Sequence, residues 1–116
     1  MKGDPKILSV FQLQEWLQGD NTDPLIIDVR EDNELEIASL PFNFIHLPLS
    51  RFSDWVNHWS EGIPKNQEIV VVCHAGIRSL KFGTWLIDNS WEGVVWNLDG
   101  GIDAWSVNID SDIPRY

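Results

Sequence analysis

One cysteine stands in the whole chain, and its surroundings bear on what it could do. Cys73 follows Ile69-Val70-Val71-Val72 and precedes His74-Ala75-Gly76-Ile77-Arg78-Ser79. The apolar, β-branched run before it reads as a strand buried on both faces. Ser79 onward reads as a helix with Leu80, Trp85 and Leu86 as its apolar positions. A turn from a strand end into a helix start gathers unpaired backbone N–H groups around one point, where negative charge is favoured. A thiol placed there is drawn toward thiolate, the nucleophilic form. Arg78 adds a fixed positive charge, and Gly76 permits a bend that a Cβ would resist. Free cysteine is also among the most buried residue types, so an inert structural thiol is the competing reading. The turn favours the reactive one.

Spacing narrows the chemistry. Cys73 and Arg78 form a Cys-x4-Arg pair. Cysteine phosphatases also build a nucleophile turn between a strand and a helix, but theirs resembles Cys-x5-Arg. One residue fewer makes a smaller ring of N–H groups, better matched to one sulfur atom than to a tetrahedral phosphate. Arsenate reduction by a related mechanism commonly recruits further cysteines, and there are none here.

The elements that must position this turn follow in order. Lys6 to Leu8 is a short strand. Ser9 with Gln12 makes a capping-box pattern ahead of a helix with Val10, Leu13, Trp16 and Leu17 on one face, stopped at Gly19. Leu25 to Val29 reads as a second buried strand, with Asp28 unusual inside it. Asp28 is either an exposed strand end or a carboxylate at the sheet's carboxyl edge, where open α/β sheets place their sites. In the second case its charge needs a nearby Arg or loop N–H. Glu31 to Ala38 is a short helix with Leu35 and Ile37 facing in, and Phe44 to Leu47 is a strand ended by Pro48. His46 there reads as packed or surface. Ser50 to Ser60 reads as an amphipathic helix whose aromatic residues are core. The central helix ends near Asn89. Val94 to Trp96 is the last strand, Gly100-Gly101 a turn, Ile102 to Trp105 the start of a last helix, and 107–116 a tail packed by Ile109 and Ile113. Strands alternating with helices imply parallel pairing in a three-layer α/β domain.

With 116 residues and 43% hydrophobic residues, one domain over 1–116 with one core is expected. Eight basic residues against 18 acidic ones leave a net charge of −10. That argues against nucleic acid and anionic membranes as partners. An anionic substrate would need a locally positive site, which Arg78 and the loop amides could supply. A lone cysteine excludes an internal disulfide framework and a CxxC metal or redox site. No metal and no cofactor are called for. Met1 to Pro5 lacks the apolar stretch of a signal peptide, no run is long enough to span a bilayer, and a cytoplasmic protein is expected.

Three segments then match a known family in order. Cys73-His74-Ala75-Gly76-Ile77-Arg78-Ser79 resembles the active-site loop of the rhodanese family of sulfurtransferases. Asp28-Val29-Arg30-Glu31 resembles its motif after the second strand. Asn97-Leu98-Asp99-Gly100-Gly101-Ile102-Asp103-Ala104-Trp105 resembles its late Gly-Gly turn and helix. The resemblance spans about 7 to 105. It implies about five mainly parallel strands with helices on both faces. It also implies that Cys73 takes the outer sulfur of a donor such as thiosulfate, holds it as a persulfide, and passes it to a thiol or cyanide. Loop residues 74–79 would then bind the donor, with Asp28 and Arg30 supporting. Arg78 would orient the anionic donor or buttress the loop, and His74 would steer substrates or simply lie exposed. Residues 38–43 depart from the usual Gly-His-Ile-Pro-Gly-Ala segment and resemble a variant in rhodanese domains that work beside ubiquitin-like activating enzymes. A protein sulfur donor or acceptor is thus a possible partner. The alternative from another class is a carrier or docking module loaded by a partner, with little turnover.

Overall fold

In the computed structural model, residues 3–116 are described. Five strands form one sheet: β1 (Lys6–Leu8), β2 (Leu25–Asp28), β3 (Ile45–His46), β4 (Ile69–Val72) and β5 (Val95–Leu98). Their order is β1-β5-β4-β2-β3, and every pairing is parallel. β4 is central, with β2 registering Asp28 against Val72 on one side and β5 registering Asn97 against Val71 on the other. With helices packed over both faces of the sheet, β4 has no solvent face, which is why Ile69-Val70-Val71-Val72 shows no polar alternation.

Side chains still alternate between faces. Ile26, Val70 and Val72 point to a core with α1 (Val10–Gln18) and α5 (Gly101–Asn108), through Val10, Leu13, Ile102 and Trp105. Ile27, Ile69, Val71 and Cys73 point the other way, to α3 (Phe52–Trp55) and α4 (Ile77–Asp88), through Trp55, Phe82 and Leu86. The Ser9–Gln12 capping box forms as expected, with Gln12 N–H donating to Ser9 Oγ at 3.1 Å and Ser9 N–H to Gln12 Oε1 at 2.8 Å.

Several boundaries differ from the sequence reading. α4 begins at Ile77, two residues early, because Gly76 at φ +104° turns the chain into the helix. Its inner face is then Ser79, Phe82, Gly83 and Leu86, at i, i+3, i+4 and i+7. Leu80 falls outside that stripe and is 44% exposed. α2 (Asp32–Ile37) is a turn and a half whose Ile37 faces solvent and whose Leu35 is half-buried. The helix expected over 50–60 starts as a single 3-10 turn at Leu49–Arg51, is α-helical only at Phe52–Trp55, and goes on as successive turns. A segment that short has little helical stability of its own, so ring packing sets its path. Trp55 and Trp59 lie edge-on to Phe82, and Phe52 edge-on to Trp85. β5 runs on to Leu98, and α5 extends to Asn108 before the tail. No helix among the described residues is long and apolar enough to cross a membrane.

Candidate active site

The carboxyl ends of β2, β4 and β5 lie side by side, and Cys73 is the first residue past β4. Its position continues the face of Ile69 and Val71, so its side chain enters the α4 side of the sheet. Cys73 is buried, 1% exposed. Gly76 N–H donates to Sγ at 3.1 Å, and Ser79 Oγ lies 3.2 Å from Sγ. Ser79 comes from the buried stripe of α4, so its hydroxyl is fixed under the sulfur.

Asn97 holds both ends of this arrangement. Its Nδ2 donates to the Gly76 carbonyl at 3.0 Å, and its Oδ1 accepts from Ser79 Oγ at 2.5 Å. Because a carbonyl can only accept, the amide must face Gly76 through nitrogen and Ser79 through oxygen. The Ser79 hydroxyl can therefore serve Asn97 or turn to a charged sulfur.

The backbone of the turn is gripped from the neighbouring strand. Ile102 N–H donates to the Cys73 carbonyl at 2.9 Å and Asp103 N–H to the His74 carbonyl at 3.0 Å. Both donors are first-turn N–H groups of α5, which have no partner inside their own helix. Gly101 makes this approach possible. It sits at φ +59°, and a Cβ there would run into the Cys73 and His74 carbonyl oxygens.

Outside the turn lies a connected polar rim. Glu34 of α2 accepts four hydrogen bonds: from Arg78 Nη1 at 2.5 Å, Arg78 Nη2 at 2.8 Å, Tyr116 OH at 2.8 Å and Glu31 N–H at 3.1 Å. The Arg78 hydrogen bonds, helped by those from Glu31 N–H and Tyr116, overcome the opposing effect of burial and hold the Glu34 carboxyl at about 2. The same pair raises the pKa of Arg78. Tyr116 stacks on the His74 ring with centroids 4.1 Å apart, and burial pushes its phenol up to about 12. Arg30 Nη1 donates to Tyr116 OH at 3.0 Å, while its Nε and Nη2 clasp Asp28 at 2.8–3.1 Å.

Asp28 and Arg30 are both fully buried. By the alternation of β2, Asp28 falls on the α1 and α5 side, the face opposite Cys73. The pair does not touch the thiol; it ends a chain of contacts running Asp28–Arg30–Tyr116–Glu34–Arg78. His46 is half-buried, with Nε2 2.6 Å from the Arg30 carbonyl, so it steadies the backbone of this motif. Ala75 and Ile77 are exposed, Ile77 at 69%.

Three members of this arrangement were not foreseen as such. Asn97 had a signal, a polar residue inside the apolar run Val95–Leu98. Glu34 and Tyr116 had none beyond their types. No group of three or more His, Cys, Asp or Glu among the described residues is arranged to hold a metal ion.

Comparison with known proteins supplies the family. The family model described as Rhodanese-like domain matches residues 9–108. The Rhodanese-like/PpiC domain-containing protein 12, chloroplastic, of Arabidopsis thaliana is 40% identical over 91 residues, covering 78% of this chain and 30% of that protein. A sulfurtransferase of Allochromatium vinosum is 31% identical over 87 residues, covering 75% of this chain and 76% of that protein. A crystal structure of a rhodanese-like domain protein from Staphylococcus aureus matches with a TM-score of 0.73 at 27% identity, covering 96% of this chain and 98% of that one. The chain spans under a third of the length of the Arabidopsis relative.

Proposed function

The chain belongs to the rhodanese-like domain family of sulfurtransferases, and on that footing we propose that it transfers a sulfane sulfur through a persulfide on Cys73. One observation carries the reading. The only thiol of the chain sits with its sulfur against the Gly76 N–H and the Ser79 hydroxyl, at the start of α4. One fixed donor, the Gly76 N–H, and one hydroxyl that can turn from Asn97 to the sulfur suit a charge that develops on sulfur during the reaction.

In the first half-reaction the Cys73 thiolate attacks the outer sulfur of a donor, thiosulfate or a persulfide. A new S–S bond forms, the donor's own bond to that sulfur breaks, and sulfite or a thiolate leaves with the electron pair. In the second, a thiol or cyanide attacks the outer sulfur of the Cys73 persulfide, and the Cys73 thiolate leaves. The enzyme returns to the same thiolate after each cycle, with the Gly76 N–H fixed beside Sγ and the Ser79 hydroxyl free to turn between Asn97 and the sulfur. Cys73 is almost fully covered at rest, so the donor's outer sulfur needs room made beside it.

Residues 1–116 act in this reading as a single domain needing no cofactor. The sulfur donor and acceptor are small molecules or cysteines of partner proteins. Nucleic acid and anionic membranes are disfavoured by the net charge of −10. A reducing compartment such as the cytoplasm suits a mechanism that returns to a free thiol.

Intact mass after incubation with donor is the test. A gain of one sulfur atom, removed by reductant and absent in Cys73→Ser, is the expected result. Repeated turnover from thiosulfate or a persulfide to cyanide then separates an enzyme from a carrier loaded once. A chain that gains no sulfur, or gains it without Cys73, overturns the proposal.

A further inference from the structure

We propose that Glu34 sets which sulfur donor the site accepts, favouring a thiol persulfide over the thiosulfate dianion. This rests on the reading of Cys73 as the sulfur-carrying nucleophile.

A dianionic donor needs a cation with free N–H groups for its sulfonate oxygens. Arg78 is the arginine of the Cys73 turn, and Glu34 engages both its Nη1 and its Nη2. No other arginine is free to stand in. Arg30 is clasped by Asp28, Arg51 by Asp32 and Arg115 by Asp103. The Glu34 carboxylate is itself held by four donors from three residues, Glu31, Arg78 and Tyr116. It is therefore a fixed negative charge occupying the place on Arg78 that sulfonate oxygens would need. Thiosulfate must displace it or bind beside it, and both are unfavourable for a dianion.

A thiol persulfide makes no such demand. Cys73–S⁻ attacks the outer sulfur of R–S–SH, the new Cys73–S–SH bond forms, and R–S⁻ leaves with the electron pair of the broken S–S bond. Atoms and charge balance, and no sulfonate needs a guanidinium.

Glu34 is on this account a specificity-determining residue acting through Arg78. The rival role is structural, a clamp from α2 onto the turn. Steady-state kinetics with thiosulfate and with cysteine persulfide, cyanide as acceptor, separates them. For the parent chain, kcat/KM for cysteine persulfide is expected to exceed that for thiosulfate by on the order of 10²-fold. Glu34→Gln keeps the shape and removes the charge. Its KM for thiosulfate should fall about tenfold while kcat/KM for cysteine persulfide changes by less than about threefold. Glu34→Asp, which keeps the charge, should retain the parent's donor ratio.

Equal losses with both donors in Glu34→Gln would make the residue a clamp and overturn the proposal. So would a parent chain that prefers thiosulfate, a result that holds even if the variants do not fold. Failure of the underlying reading looks different: neither donor would load sulfur onto Cys73 in the parent.

Discussion

Two turns of this fold are built alike and do opposite things. After β4 the chain passes Cys73, His74 and Ala75 and enters α4 through Gly76 at φ +104°. After β5 it passes Asp99 and enters α5 through Gly100 at φ +75°. Each is a strand end, a left-handed glycine and a helix start with free N–H groups. At α4 the N–H of Gly76 points at a sulfur. At α5 the N–H groups of Ile102 and Asp103 point at the carbonyls of Cys73 and His74. The second turn thus holds the first in shape. A helix start is not a site by itself; what lies in front of its donors decides whether they act on a nucleophile or on backbone.

The largest way to break this contrast is to remove the nucleophile. Cys73→Ser should bring sulfur transfer to background, because a hydroxyl without a positioned base is a poor nucleophile. Its melting temperature should stay within a few degrees of the parent, since serine fits the same space beside Ser79. Retained turnover would move the chemistry off the β4 turn altogether.

Next comes the supporting turn. Gly101→Ala forces a Cβ against the Cys73 and His74 carbonyl oxygens at positive φ. It should cost about 1–3 kcal/mol in stability. Sulfur transfer should fall on the order of 10²-fold, because small displacements of reacting groups are that expensive. Denaturant unfolding and turnover of the same sample check both. Unchanged turnover would mean that the α5 start does not position the thiol.

Asn97→Ala should do less. It removes the side-chain tie from the Gly76 carbonyl and leaves the Ser79 hydroxyl only the Cys73 sulfur, while sparing the grip of α5. A loss of about 1–3 kcal/mol is expected, with turnover down on the order of tenfold. If it exceeds Gly101→Ala in the activity assay, the side-chain tie matters more than the backbone grip.

The smallest effect lies at the rim of the β4 turn and is one of stability with pH. The Glu34 carboxyl sits at about 2 in the fold, below its ordinary 4.5, chiefly through the Arg78 hydrogen bonds. A depressed pKa contributes stability that is present above about 4.5 and lost as pH falls through about 2. Between about pH 5 and about pH 2.5 the parent should therefore lose more stability than Glu34→Gln, measured by denaturant midpoint. Asp32 and Asp103 are also lowered by their arginine partners, so the difference between the two chains isolates Glu34. Parallel curves would show that the ion pair adds nothing to the fold.

Much of the frame could be read in advance. Ile69 to Val72 has no polar residue, and it is the strand as found, because a central parallel strand leaves no polar position. The Ser9 and Gln12 side chains reach only each other's backbone, so a stretch of four residues suffices to specify that cap. Leu80 and Ile37 were misplaced for the converse reason. Shifting the start of α4 by two residues rotates the inner stripe from Leu80 to Phe82, and only the Gly76 backbone sets that start. The Ser50–Ser60 segment had helical spacing, yet its aromatic rings answer to Phe82 and Trp85 rather than to their own backbone.

By itself the sequence determined the parallel α/β frame, the Ser9–Gln12 cap and the turn that bears Cys73. These depend on periodicity, turn residues and contacts within a few positions. Only the tertiary structure decided what surrounds that turn. Glu34 meets Arg78 across 44 residues, Asn97 meets Gly76 across 21, and Tyr116 meets Arg30 across 86. Such partners are set by which strands end side by side. A carboxylate in α2 therefore looks like any solvated acid until the order β5-β4-β2 brings it to the guanidinium beside the thiol.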